Sequence, residues 1–137
     1  MTEMLPERPF PVPTPDSQPY WDGLRAHRLV LQRCAACGRA RHYPRPMCDT
    51  CFSLKDEWFT ASGKGCVHSW TVCHHAFHRG FASETPYVLV TVELVEGVRM
   101  VARLVEPDTA RLAIDRPVIL EYQDLDDITL PRFRIDG

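Results

Sequence analysis

Residues 34–51 read Cys34-Ala35-Ala36-Cys37-Gly38-Arg39-Ala40-Arg41-His42-Tyr43-Pro44-Arg45-Pro46-Met47-Cys48-Asp49-Thr50-Cys51. Two Cys-x-x-Cys pairs stand ten residues apart. A tetrahedral zinc ion needs four soft ligands converging on one point, and two short turns that each carry a pair of thiolates supply them. Gly38 directly follows the first pair, where the chain has to bend sharply around a metal. Pro44 and Pro46 stiffen the approach to the second pair. The spacer is shorter than the roughly fifteen to twenty residues of the general four-cysteine pattern, which a tight ribbon of two knuckles tolerates. The stretch predicts a zinc ribbon in which Cys34, Cys37, Cys48 and Cys51 bind structural Zn2+. Two disulfides or a redox-active Cys-x-x-Cys are the competing readings. The start, Met1 to Pro6, has no basic region followed by an apolar run, so nothing there reads as an export signal, and disulfides lose ground. Four thiolates leave no open position for water or substrate, which disfavours a catalytic zinc.

Outward from the ribbon the chain divides in three: residues 1–27, a proline-rich arm and a short helix; 28–55, the ribbon; 56–137, a β-rich unit. The arm carries Pro6, Pro9, Pro11, Pro13 and Pro15 and cannot be helical. Asp16 or Ser17 can cap a helix with Pro19 in its first turn, placing Tyr20, Leu24 and His27 on one face, with Trp21 beside it; Gly23 weakens it. Leu29–Arg33 and Arg41–Tyr43 read as the ribbon's strands. From Glu57 the period changes to two. Trp58–Ala61 opens the β-rich unit, and Cys66–His75 alternates, with Val67, Ser69, Thr71 and Cys73 on one face. Tyr87–Val95 and Val98–Val105 form a hairpin about Glu96-Gly97, and Pro117–Tyr122 and Ile128–Phe133 follow. About five strands with almost no helix predict a mostly β fold: a small Greek-key barrel of the OB type behind the ribbon.

The 137 residues are 45% hydrophobic, enough for a core, and no apolar run approaches the roughly twenty residues that span a bilayer. Six cysteines without an export signal read as cytoplasmic. The net charge of −2 lacks the basic surplus of a dedicated nucleic-acid binder. Locally, Arg33, Arg39, Arg41 and Arg45 crowd the ribbon, either as solvated surface or as an edge that meets phosphates or an acidic partner.

His68, His74, His75 and His78 gather near Cys66 and Cys73. A strand running into a loop does not put them on one face, so satisfied or exposed histidines are expected rather than a second metal site. No Ser–His–Asp set, phosphate-cradling loop or dinucleotide fingerprint is present. Tyr20 and Trp21 are residue types that anchor interfaces, and Phe77, Phe81 and Tyr87 flank the loop through which an OB barrel of this kind contacts ligands. No catalytic residue is expected; a free-standing enzyme using Cys73 and His75 is a competing reading, against which adjacent strand residues point to opposite faces.

Taken together, several segments carry a family likeness: Leu29-Val30-Leu31-Gln32-Arg33-Cys34 after the helix, Cys34-Ala35-Ala36-Cys37-Gly38, Pro44-Arg45-Pro46-Met47-Cys48-Asp49-Thr50-Cys51, Ser62-Gly63-Lys64-Gly65-Cys66-Val67-His68-Ser69-Trp70-Thr71-Val72, Pro86-Tyr87-Val88 and Leu130-Pro131-Arg132-Phe133-Arg134. In this order the chain resembles, over roughly residues 16–135, the zinc-ribbon plus OB-fold proteins known as the domain of unknown function 35. The resemblance implies an accessory subunit of thiolase-fold enzymes acting on acyl-CoA: thiolases, hydroxymethylglutaryl-CoA synthases, polyketide acyltransferases and the retro-aldolase that shortens the steroid side chain. It carries the four cysteines over as zinc ligands and supplies no catalytic residue. Relatives often have glycine where Asp115-Arg116-Pro117 opens a late strand, which implies a different turn here. Often they have threonine at the Cys66 position, which speaks against a catalytic Cys66.

The expectation is therefore a non-catalytic cytoplasmic subunit in a hetero-oligomer with a thiolase-fold protein. Acyl-CoA lies at the shared site, no nucleic acid or membrane is bound, and the leaning is toward a steroid-degrading lyase. Arg33, Arg39, Arg41, Arg45, Tyr20, Trp21, Phe77 and Phe81 are the expected CoA or partner contacts. A single-stranded nucleic-acid binder built on the same two modules is the alternative.

Overall fold

The computed structural model describes residues 9–107 and 109–137; the arm's first eight residues, Pro6 among them, lie outside the described residues. From Phe10 to Pro13 the chain is exposed and without regular structure. It enters helix α1 (Gln18–Arg25) with proline in the first turn. Ser17 occupies the cap position but makes no side-chain cap bond; its hydroxyl instead accepts the Thr14 N–H at 2.9 Å. The helix buries Tyr20, Gly23 and Leu24. Gly23 earns its place by contact. A Cβ there would stand 2.5 Å from Val30 Cγ2 and 3.0 Å from the Arg28 carbonyl, so glycine lets the helix lie against the strand that follows. His27 is beyond the helix rather than on its face, and turns the chain at φ 58.

Strands β1 (Leu29–Cys34), β2 (Ala40–Arg41) and β3 (Asp56–Ala61) form an antiparallel sheet in the order β2-β1-β3. β3 differs from the sequence reading. Its alternation placed Trp58–Ala61 at the opening of the β-rich unit, yet it pairs with β1 from Leu29 opposite Ala61 to Cys34 opposite Asp56. Period two reports one buried face and is silent on which sheet that face belongs to.

The remaining strands are β4 (Lys64–Cys73), β5 (Tyr87–Leu94), β6 (Arg99–Leu104), β7 (Pro117–Asp124) and β8 (Thr129–Ile135). They close into a five-stranded barrel in the order β4-β5-β6-β8-β7, in agreement with the expected OB type. The β6–β8 pair is parallel and short, running from Arg103 opposite Arg132 to Leu104 opposite Phe133. Strand β4 carries a bulge between Val67 and Ser69. The extra residue flips the parity, so Val67 and Val72 both pack on the core and the alternation expected through Cys73 does not hold. Gly65 lies against the Glu93 carbonyl, where a Cβ has no room. Asp115, two residues before β7, takes φ 68, a conformation glycine adopts without strain and aspartate tolerates.

One core runs through both sheets. Leu24, Leu29 and Leu31 from the helix and first strand join Val67, Val90, Val92, Met100 and Phe133 of the barrel. Each such side chain contributes about 1.5–3 kcal/mol through burial. No helix among the described residues is long and apolar enough to cross a membrane.

Candidate functional site

The four cysteines converge. Cys34 ends β1 and Cys48 is buried, while Cys37 and Cys51 face solvent. Their Sγ atoms all lie within 4.8 Å of one another, with 3.5 Å between Cys34 and Cys51 and 3.7 Å between Cys37 and Cys48. A tetrahedral site with metal–sulfur bonds of about 2.3 Å has edges of about 3.8 Å, so the four sulfurs fit one ion. None of the six cysteines is in a disulfide.

Both knuckles are built alike. The N–H of Gly38 donates to the Cys34 carbonyl at 2.9 Å, and that of Phe52 to the Cys48 carbonyl at 3.0 Å. Both donors take left-handed backbone, φ 78 and φ 63. The turns aim further N–H groups at sulfur: Cys37 to Cys34 Sγ and Thr50 to Cys48 Sγ, each at 3.4 Å. Such donors favour thiolate. The Cys37 N–H holds the Cys34 thiol below its usual range, and the N–H groups of Cys51 and Thr50 hold Cys48 down at about 6. Against the Ser53 N–H, which favours thiolate, the crowding sulfurs of Cys34, Cys37 and Cys48 push Cys51 up to about 11, and it is the convergence of all four sulfurs that suits a soft cation.

The arginines crowding the ribbon have separate places. Arg33 pairs with Glu57 across the sheet at 2.8 Å and stacks on Phe59. Arg41 is buried; its Nε donates to Gln32 Oε1 at 2.6 Å and its Nη2 to the Arg45 carbonyl at 2.8 Å. Gln32 is the hub that sequence reading missed. It is 1% exposed, also accepts the Arg45 N–H at 2.8 Å, and donates to Asp56 at 2.9 Å. Its one available signal was a polar residue directly after the apolar run Leu29-Val30-Leu31. Arg39, Arg41 and Arg45 do share one recess, joined by Arg99, which no sequence pattern had singled out.

On another side α1, the ribbon and the barrel frame an apolar groove of about 680 Å3. Tyr20, Trp21, Tyr43, Phe81 and Tyr87 line it, with Phe10 of the arm at its edge. Tyr43 bridges the two sheets, its hydroxyl accepting the Val101 N–H at 3.1 Å. Burial pushes the Tyr20 hydroxyl above the ordinary tyrosine range, with Tyr43 and Tyr122 adding to it. Arg103 lies 4.5 Å over the Tyr87 ring and pairs with Glu84 at 3.0 Å, tying the 3₁₀ turn Arg79–Glu84 to the groove's rim. Phe77 is elsewhere, exposed against His75. His68, His74, His75 and His78 are exposed, and among the described residues no group other than the four cysteines brings three metal-ligating side chains together.

Two family models match consecutive stretches of the chain. The model of the ChsH2 rubredoxin-like zinc ribbon domain matches residues 21–57, and that of the ChsH2 C-terminal OB-fold domain matches residues 58–123. A probable enoyl-CoA hydratase alpha subunit of Thermomonospora curvata is 41% identical over 97% of this chain and 42% of its own length. The 3-oxo-4,17-pregnadiene-20-carboxyl-CoA hydratase alpha subunit of Mycobacterium tuberculosis is 41% identical over 84% of this chain and 36% of its own length. The chain thus spans about two fifths of these two relatives. A DUF35 domain-containing scaffold protein of Methanothermobacter thermautotrophicus is 31% identical over 71% of this chain and 73% of its own. Among solved structures, a chain of the Ltp2-ChsH2(DUF35) aldolase superposes with a TM-score of 0.82 at 40% identity, covering 92% of this chain and 98% of that one.

Proposed function

Because the chain belongs to the ChsH2 family of zinc-ribbon and OB-fold DUF35 proteins, we propose that it is a non-catalytic subunit supporting a thiolase-fold partner that acts on acyl-CoA thioesters. The reaction we favour is carbon–carbon cleavage of the retro-aldol kind on a steroid side chain. The observation that carries this is the match, over nearly all of both chains, to a subunit of an aldolase complex. The naming of more distant relatives as scaffolds supports it further.

The chemistry agrees. A retro-aldol step needs a base and a group that stabilises the enolate at the thioester. We assign neither to this chain, whose described histidines join no ligating cluster. What the chain offers is surface. The apolar groove, with Tyr20, Trp21 and Phe81, covers a partner or an acyl chain, excludes water and orients the ester. Zinc at Cys34, Cys37, Cys48 and Cys51 fastens the ribbon that forms one wall; with four thiolates it is structural and supplies no reactive position. Co-expression with a thiolase-fold subunit tests the reading. Co-elution in size exclusion, weakened by Trp21→Ala, is the expected result. Separate elution of two folded proteins under all conditions contradicts it.

A further inference from the structure

We propose that the recess between the ribbon and the β5–β6 hairpin is an anion site that takes a phosphate ester. Arg39, Arg41, Arg45 and Arg99 line this cavity of about 340 Å3, with Asp49 and Glu93 on the same wall. Two carboxylates stand among four guanidinium groups, and one of them is in an ion pair. Asp49 reaches Arg45 at 3.7 Å, and Glu93 stands opposite Arg99 in the hairpin register. Among the described residues neither Arg39 nor Arg41 pairs with a carboxylate, and four guanidinium groups exceed two carboxylates by two charges. Arg39 rests on the Thr50 hydroxyl at 2.7 Å, a neutral partner.

Arg41 makes the case. It is only 6% exposed, and both its partners, the Gln32 amide oxygen and the Arg45 carbonyl, are neutral. Its Nη1 has no hydrogen-bond partner among the described residues. A buried guanidinium needs a paired anion, and this one has none among the described residues. Two unmatched arginines fit a dianion better than a monocarboxylate. The outer pair, Arg39 and Arg99, offers the forked donors that grip phosphoryl oxygens. The phosphate is either free or the phosphomonoester of a nucleotide thioester such as CoA. The site deepens the proposed function, and depends on it only for that source.

Calorimetric titration of the full chain at low salt, with inorganic phosphate and separately with adenosine 3′,5′-bisphosphate, tests the site. Saturable binding is expected, weakened about tenfold or more by Arg39→Ala and by Arg99→Ala, as for loss of a charged hydrogen bond. Arg134→Ala, which removes a guanidinium paired with Glu121 at 2.5 Å outside the recess, leaves binding unchanged. Both probes binding alike makes free phosphate the source; tighter bisphosphate makes it the nucleotide, and either supports the site. In Arg41→Met the ligand-induced rise in melting temperature disappears; should that variant not fold, the two exposed arginines decide alone. No saturable heat with either probe, or affinity indifferent to Arg39→Ala and Arg99→Ala, overturns the proposal. Partner assembly is measured separately, so either idea can fail without the other.

Discussion

At Phe52 the second knuckle uses an aromatic residue where the first uses Gly38, and both take left-handed backbone. That conformation costs a non-glycine residue about 1–2 kcal/mol. Phe52 is 68% exposed and gains little burial in return. Phe52→Gly is expected to raise stability by about 1 kcal/mol after glycine's extra unfolded-state entropy is deducted, and Gly38→Ala to lower it by a similar amount, both read from thermal unfolding. His42 offers a second test. Its ring packs between Tyr20 and Tyr43, neither ring nitrogen has a partner among the described residues, and burial holds its pKa down at about 4. The unfolded chain takes up that proton near 6.5, the folded chain only near 4. Between these values the unfolded state binds more protons, so stability falls as pH drops, by about 3 kcal/mol in all. His42→Phe is expected to flatten this stretch of the stability–pH curve; an unchanged slope contradicts the burial account.

Among the elements, α1 and the ribbon are held by different means. Gly23→Ala improves helix propensity by about 1 kcal/mol, yet its Cβ meets Val30 and the Arg28 carbonyl, and overpacking of that kind costs about 1–3 kcal/mol. Net destabilisation in denaturant titration is expected; stabilisation would show that the helix can back away from β1. The ribbon depends on its proposed metal. Chelation, or Cys48→Ser, is expected to release stoichiometric zinc and lower the melting temperature while barrel amides stay protected from hydrogen exchange. Zinc ligands at fixed spacing and hairpin turns such as Glu96-Gly97 are local signals, so the ribbon's cysteines and the barrel's strand sequence were legible in the chain. The partner of β3 was not, because alternation does not choose between sheets. Nor was the bulge at Val67/Ser69, where one added residue reverses the faces without altering composition. The recess escaped for a similar reason. Arg41 and Arg33 look equivalent in a row of arginines, and only the packing of Gln32 buries one and leaves the other paired with Glu57 on the sheet.

Across the whole molecule, a shared core fixes the ribbon to the barrel and so frames the apolar groove and the basic recess on either side of their junction. A small fold that presents two chemically distinct surfaces beside the junction of its two sheets suits the proposed role in another subunit's reaction. The most direct measurement is carbon–carbon cleavage of an acyl-CoA in three parallel reactions: this chain alone, the thiolase-fold partner alone, and both together. The account predicts no turnover by the chain alone and a rate or stability of the partner that rises when the chain is added. Turnover of the thioester by this chain without a partner, or a partner equally fast and equally stable in its absence, would contradict it.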